Sequence, residues 1–318
     1  MVLTAIRRAE KTRVMPRKRV RKNPHEAETE IALDNVSVSY PLASGAQKTV
    51  LHRLNLDIRA GEFVVVLGET GCGKSTLLRL VLGQEFPTEG TVDVDGKRVR
   101  RIDARCGYVP QKYALFPDRT VMQNVMYGPE NAFCGWTARL LPSFWRFRKS
   151  LRAEAAAMLQ RMGLRTTDFH KYPQQLSGGM QQRVAIAQAL LMRPPVLLMD
   201  EAFSALDPST RASLQQQMHD LWQESRPTIL FVTHNTSEAI LLGTRLIVLK
   251  PHQEGDQESN VLLDMQLPQS SEPLSVRKKT RDFEQLREHV KHCAFRESDF
   301  EVERRAVQEM PRRVEASE

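Results

Sequence analysis

The stretch Phe63-Val64-Val65-Val66-Leu67-Gly68-Glu69-Thr70-Gly71-Cys72-Gly73-Lys74-Ser75-Thr76 reads as a strand, a glycine loop and the start of a helix. A short apolar run of strand length leads in, and Leu77-Leu78-Arg79-Leu80-Val81-Leu82 leads out as a helix. Gly68, Gly71 and Gly73 let the backbone curl so that successive N–H groups converge, and the helix starting near Lys74 adds its positive end. A phosphate chain fits such a cradle. Lys74 is expected to reach the β- and γ-phosphates and Ser75 to ligate Mg²⁺. Glu69, Thr70, Cys72 and Thr76 complete the nucleotide-binding set, mostly through backbone. The flanking strand and helix are the context that separates this motif from a chance match.

Two further segments lie downstream. Val196-Leu197-Leu198-Met199 is a buried strand that ends in Asp200-Glu201. An acid at the C-terminal end of such a strand faces the ligand crevice of an open α/β sheet. Asp200 is then expected to hold Mg²⁺, mostly through water, and Glu201 to polarise an attacking water. Alone, two acids at a strand end would merely begin a loop; beside a phosphate loop they read as catalytic. The run Leu176-Ser177-Gly178-Gly179-Met180-Gln181-Gln182-Arg183 places its serine 23 residues before Asp200. It opens a helix over 181–192 and offers N–H groups and a positive helix end to a second anion.

In this order and at these spacings the three segments resemble the nucleotide-binding domain of ATP-binding-cassette (ABC) transporters, over residues 31 to 250. The resemblance implies an α/β P-loop cassette with a mixed, largely parallel core sheet, an antiparallel β part and an α-helical subdomain over residues 112–192. It implies ATP hydrolysis. Tyr40 matches the aromatic that stacks on adenine. Gln111, in Tyr108-Val109-Pro110-Gln111, matches the glutamine that senses Mg²⁺ and the water and links to the transmembrane partner. Asp207, in Ser204-Ala205-Leu206-Asp207, matches the loop that communicates across a dimer, and His234 the histidine that contacts the γ-phosphate. In the family, Ser177, Gly178 and Gly179 of one copy would close over the ATP of the other. Every such position carries a competent residue, so two identical copies would have two hydrolysing sites.

The runs Leu115–Val125, Glu201–Pro208 and Thr233–Ala239 are similar to the nitrate/sulfonate/taurine importer group. Asn235, where an aspartate is commoner, and Gln188, where an arginine is commoner, depart from that pattern without touching the chemistry. The implied partners are a second copy, transmembrane permease subunits and, indirectly, a periplasmic substrate-binding protein. The implied location is peripheral, at the cytoplasmic face of the inner membrane. An exporter of lipid or drug is the alternative. A nucleic-acid- or ribosome-linked ATPase is weaker, since neither a second cassette nor a long coiled-coil insertion is present, and no nucleic-acid partner is expected.

The rest of the chain agrees with this reading. The apolar fraction of 41% suits a packed core, and no window approaches the 18 apolar residues of a membrane span. Four cysteines, Cys72, Cys106, Cys134 and Cys293, show no metal spacing and read as free thiols; Cys72 reads as a tolerated small residue, not a nucleophile. The net charge of +8 resides in residues 1–24, which hold nine Lys/Arg against Glu10. Residues 1–28 therefore read as a disordered basic tail, a composition that also suits nucleic acid or anionic lipid, and Met15 is an alternative start. Residues 29–250 form the cassette. Residues 251–318 form a C-terminal extension, with one more strand over 261–267 and an amphipathic helix carrying Phe283, Leu286, Val290 and Cys293. Strands are expected at 31–40, 51–58, 91–94, 228–233 and 246–249, and helices at 151–162 and 209–224. The segment 131–148 holds Phe133, Trp136, Phe144, Trp145 and Phe147 with Arg139, Arg146 and Arg148. It suits either a lipid or membrane-protein interface or packing on the protein's own helical subdomain.

Overall fold

The computed structural model describes residues 29–43, 45–102, 105–133, 142–253, 256–270 and 272–294. The expectations for the basic tail, for Trp136 and Arg139, and for the side chain of Phe133 lie outside the described residues. The strands are β1 (Thr29–Pro41), β2 (Gln47–Arg59), β3 (Phe63–Gly68), β4 (Glu89–Val94), β5 (Lys97–Arg98), β6 (Cys106–Val109), β7 (Val196–Asp200), β8 (Thr228–Thr233), β9 (Arg245–Leu249) and β10 (Val261–Gln266). The helices are α1 (Lys74–Leu82), α2 (Val121–Phe133), α3 (Pro142–Arg161), α4 (Gly178–Leu191), α5 (Pro208–Ser225), α6 (Thr236–Leu242), α7 (Leu274–Arg277) and α8 (Arg281–Ala294).

Two sheets share one helix. The core sheet runs β10-β9-β3-β8-β7-β6 and the second runs β2-β1-β4-β5. In the core sheet every neighbouring pair from β9 to β6 is parallel, and only β10 runs against its neighbour β9. The second sheet is antiparallel throughout. The mixed, largely parallel core and the antiparallel β part expected from the sequence are both present.

Strand β3 shows why the run 63–67 had to be central. All of its residues are buried, so each side chain must find an apolar neighbour on its own face. Val64 and Val66 pack with Leu77, Leu80 and Val81 of α1 and with Ile31, Leu54 and Ile58 of the antiparallel sheet. Phe63, Val65 and Leu67 face the opposite layer, with Leu214 and Trp222 of α5, Leu286 of α8 and the helices α2 to α4. The period of two thus sorts one strand into two cores, and α1 lies between the two sheets.

Several elements extend past their sequence signal. α3 begins at Pro142, before the apolar spacing at 151–162 starts, because its first turns bury only Phe144. Phe144 is buried and Phe147 packs partly on the helical layer, whereas Trp145 is 59% exposed. β6, α2 and α6 go beyond the expected elements; α2 buries Val121, Met122, Val125 and Met126 on one helical face. β10 extends the core sheet beyond residue 250. In α8 the buried stripe is Phe283, Leu286, Val290 and Ala294, with Cys293 half-buried beside it.

Candidate nucleotide site

The parallel register brings the site together. Leu67 pairs with Thr233, and Asp200 with Val232, so β3, β7 and β8 end side by side. The loops that leave them therefore converge at the C-terminal edge of the sheet, where α/β folds hold ligands.

The loop after β3 is shaped by its glycines. Gly71 and Gly73 have φ of 85° and 102°, a left-handed backbone that other residues adopt only with strain. At Gly73 a Cβ would also stand 2.5 Å from Leu51 Cδ2. Gly73→Ala should therefore cost about 1–2 kcal/mol in backbone strain alone, and more through displacement of the buried Leu51 side chain. We expect its ATP affinity to fall at least about tenfold, against a smaller loss of thermal stability; nucleotide titration and a melting curve check this. Lys74 is only 8% exposed, and its Nζ donates to the carbonyls of Gly68 (2.7 Å) and Glu69 (2.8 Å). Among the described residues no carboxylate pairs with it, so its charge is free to face phosphate. Cys72 is wholly buried, and burial pushes its thiol up, as suits a filler and not a nucleophile.

Asp200 ends β7. Its carboxyl is pushed up by burial and then by neighbouring Glu201, and lowered by Tyr108, Arg79 and the hydroxyl of Ser75. Tyr108 Oη lies 3.5 Å from Asp200 Oδ2. One partly buried carboxylate and one hydroxyl at a phosphate loop are a donor set that fits Mg²⁺, which keeps several waters and takes the rest of its shell from phosphate. A desolvated carboxylate is also stabilised by an adjacent cation.

Glu201 has a left-handed φ of 43°, unusual for a side chain of its size. Its N–H donates to Val232 O (3.0 Å), and its carbonyl accepts from Ser204 N (3.0 Å) and Ser204 Oγ (2.9 Å). These bonds hold the bend that turns the carboxylate away from the strand axis. Oε2 then accepts from Gln111 Nε2 at 2.7 Å, and Oε1 lies 3.2 Å from His234 Nδ1. Gln111, Glu201 and His234 come from the ends of three different strands, and the fold brings all three together. The arrangement can orient a water between a carboxylate and a phosphate held by Lys74.

The other anticipated residues are placed around this centre. Tyr40 Oη donates to Glu85 Oε2 (2.7 Å) and sits 3.5 Å from Thr76 Oγ1, which ties its ring to the start of α1. Asp207 caps α5, accepting from Ser209 Oγ (2.6 Å) and Thr210 N (3.0 Å); these hydrogen bonds hold its carboxyl well below the usual range. Ser177 caps α4 by accepting from Met180 N (3.3 Å). Gly178 lies against Tyr113, and Gly179 against Thr210 and Leu206. Among the described residues no hydrogen bond or ion pair joins Ser177–Gly179 to the loop 68–75. The two anion-binding turns of one chain are separate.

Sequence reasoning missed three polar residues. In the sequence Tyr108 stands out only as a neighbour of Gln111; its pairing with Leu198, two residues before Asp200, is visible only in the sheet. Arg211 and Glu238 lie on helices, and nothing in their local sequence shows that they meet. Glu238 is 4% exposed and its carboxyl is pushed up by burial, against the hydroxyl of Thr233 and the charge of Arg211.

A parallel sheet with a glycine loop, a lysine and serine at its helix, and paired acids on the neighbouring strand define a P-loop nucleoside triphosphatase. The family described as ABC transporter matches residues 51–204. A nitrate import ATP-binding protein of Synechocystis sp. is 44% identical over 63% of this chain and 70% of its own length. A taurine import ATP-binding protein of Jannaschia sp. is 38% identical over 82% and 92%. The dimeric post-hydrolysis structure of an ATP-binding cassette with ADP and Pi bound superposes with a TM-score of 0.60 at 30% identity, over 76% of this chain and all of that one. This chain belongs to the ABC transporter family, as an ATP-binding protein that hydrolyses ATP. Among the described residues no helix is long and apolar enough to cross a membrane.

Proposed function

We propose that this chain is the energy-coupling subunit of a bacterial importer for a small anion or organic solute of the nitrate, sulfonate or taurine kind. It would work as a homodimer attached peripherally to the cytoplasmic side of separate permease subunits, which a periplasmic binding protein supplies. The observation that carries the reading is Glu201, turned out of β7 one residue past Asp200, with Gln111 on one carboxylate oxygen and His234 beside the other.

In this reading the N–H groups of Gly68–Thr76 and the ammonium of Lys74 hold the β- and γ-phosphates, and Tyr40 stacks on adenine. Ser75 and Asp200 would hold Mg²⁺, with Gln111 at the edge of its water shell; the ion would neutralise charge on the phosphates. Glu201 polarises the attacking water, and His234 donates toward the γ-phosphate. Ser177, Gly178 and Gly179 offer their helix end to the ATP of the second copy, and Asp207 faces across that seam. Two names support direction and cargo: the similar chains are called import proteins for nitrate and for taurine. The dimeric cassette with ADP and Pi supports the paired arrangement.

The test is reconstitution of the whole chain with its cognate permease in vesicles. ATP hydrolysis should rise when a binding protein loaded with nitrate or taurine is supplied on the face opposite the ATP. Stimulation by lipid alone, or by DNA or RNA in a salt-sensitive manner, would replace this reading with an exporter or a nucleic-acid-linked ATPase.

A further inference from the structure

The loop that carries Glu201 and the loop that carries His234 leave different strands. Beyond the Glu201 N–H to Val232 O bond, the sheet no longer ties them. A partly buried polar bridge does. Arg211, in the first turn of α5, donates from Nε to Phe203 O (3.1 Å) and from Nη2 to Ser204 O (3.2 Å) and Leu206 O (2.9 Å). One guanidinium thus gathers three carbonyls of the loop that follows Glu201. The same Nε lies 3.8 Å from Glu238 Oε1.

Glu238 stands in the first turn of α6, where its N–H donates to Asn235 Oδ1 (3.2 Å). Its Oε2 accepts from Thr233 Oγ1 (2.8 Å), and its Oε1 from Gln215 Nε2 (3.1 Å). Thr233 Oγ1 in turn accepts from Asn235 N (3.0 Å). The two residues that flank His234 are therefore both bound to Glu238 or to its partner. Among the described residues no hydrogen bond or ion pair joins Glu238 or Arg211 to the phosphate loop.

We propose that Arg211 and Glu238 are a positioning pair that holds the Glu201 loop and the His234 loop in one register, so that the carboxylate and the imidazole meet across the γ-phosphate position. The proposal rests on the ATPase roles given to Glu201 and His234 above. Removing Arg211 would leave the buried Glu238 carboxylate without its ion-pair partner, a costly change in a desolvated place. The outer end of the bridge is Leu206, which precedes Asp207, the residue offered to a second copy. A shift of that loop on closure would be carried through Arg211 and Glu238 to Thr233 and thence to His234.

The test uses the full chain with Arg211→Ala, Arg211→Lys, Glu238→Ala and Glu238→Gln, and the Arg211→Ala/Glu238→Ala double variant. Active sites are counted by titration with a fluorescent ATP analogue, so that unfolded material drops out. Each alanine variant should lower kcat per bound nucleotide at least about tenfold, with KM for ATP changed less than about threefold. The double variant should be no slower than the slower single, because both remove the same bridge, and Arg211→Lys should recover part of the rate. Wild-type turnover per bound nucleotide in the alanine variants would overturn the proposal, as would multiplying losses in the double variant. Absence of turnover in the unmodified chain would instead strike the ATPase roles on which the proposal rests.

Discussion

Glu201→Gln should bind ATP with nearly wild-type affinity and lose about 10²–10⁴-fold in turnover, the range expected when a general base is removed. The substitution keeps the shape of the side chain. A glutamine at 201 can still accept from Gln111 Nε2, and the main-chain bonds to Val232 and Ser204 are untouched. What disappears is the charge that polarises water beside His234. ATP then stays intact in the site, and if hydrolysis is what reopens the seam between two copies, the variant remains a dimer. Phosphate release and gel filtration with ATP present measure both effects. A variant that hydrolyses ATP at the normal rate removes Glu201 from its assigned role.

The second large effect concerns the shared site. Lys74→Ala and Ser177→Arg should each abolish turnover alone, the first by removing the phosphate cation and the second by filling the turn that caps the other copy's ATP. Mixed in equal amounts, the two inactive proteins should regain activity. Half of the randomly formed dimers then pair one variant with the other, and each such dimer keeps one intact site of two, so recovery of about a quarter of the wild-type rate is expected. The reason lies in the fold: among the described residues no hydrogen bond or ion pair joins Ser177–Gly179 to its own phosphate loop, and Gly178 and Gly179 stand instead beside Tyr113, Leu206 and Thr210. A mixture as inactive as its components would show that each chain caps its own nucleotide.

Much of this site was legible because its chemistry is local. The phosphate loop needs glycines, a lysine and a hydroxyl within a few residues, and the strand before it and helix after it are visible as apolar periods. The pair Asp200-Glu201 follows directly on a buried run, so its place at a strand end could be read from composition. Ser177 caps a helix one turn earlier than the apolar pattern alone would start it, since the small residues Gly178 and Gly179 carry no period. Helix α3 illustrates the opposite case: its first turns hold three aromatics among cationic residues, but only Phe144 of them is buried, so no helical apolar stripe marks where it begins.

Strand identity, the phosphate cradle and the acids at the crevice were determined by the order of residues along the chain, since each depends on neighbours a few positions apart. The order of strands in the core sheet, the approach of Gln111 and His234 to Glu201, and the Arg211–Glu238 bridge were decided only by the tertiary structure. The side-chain contacts join residues between 27 and 90 positions apart. Burial and parallel register bring them within hydrogen-bond or ion-pair reach, and no local pattern encodes that distance.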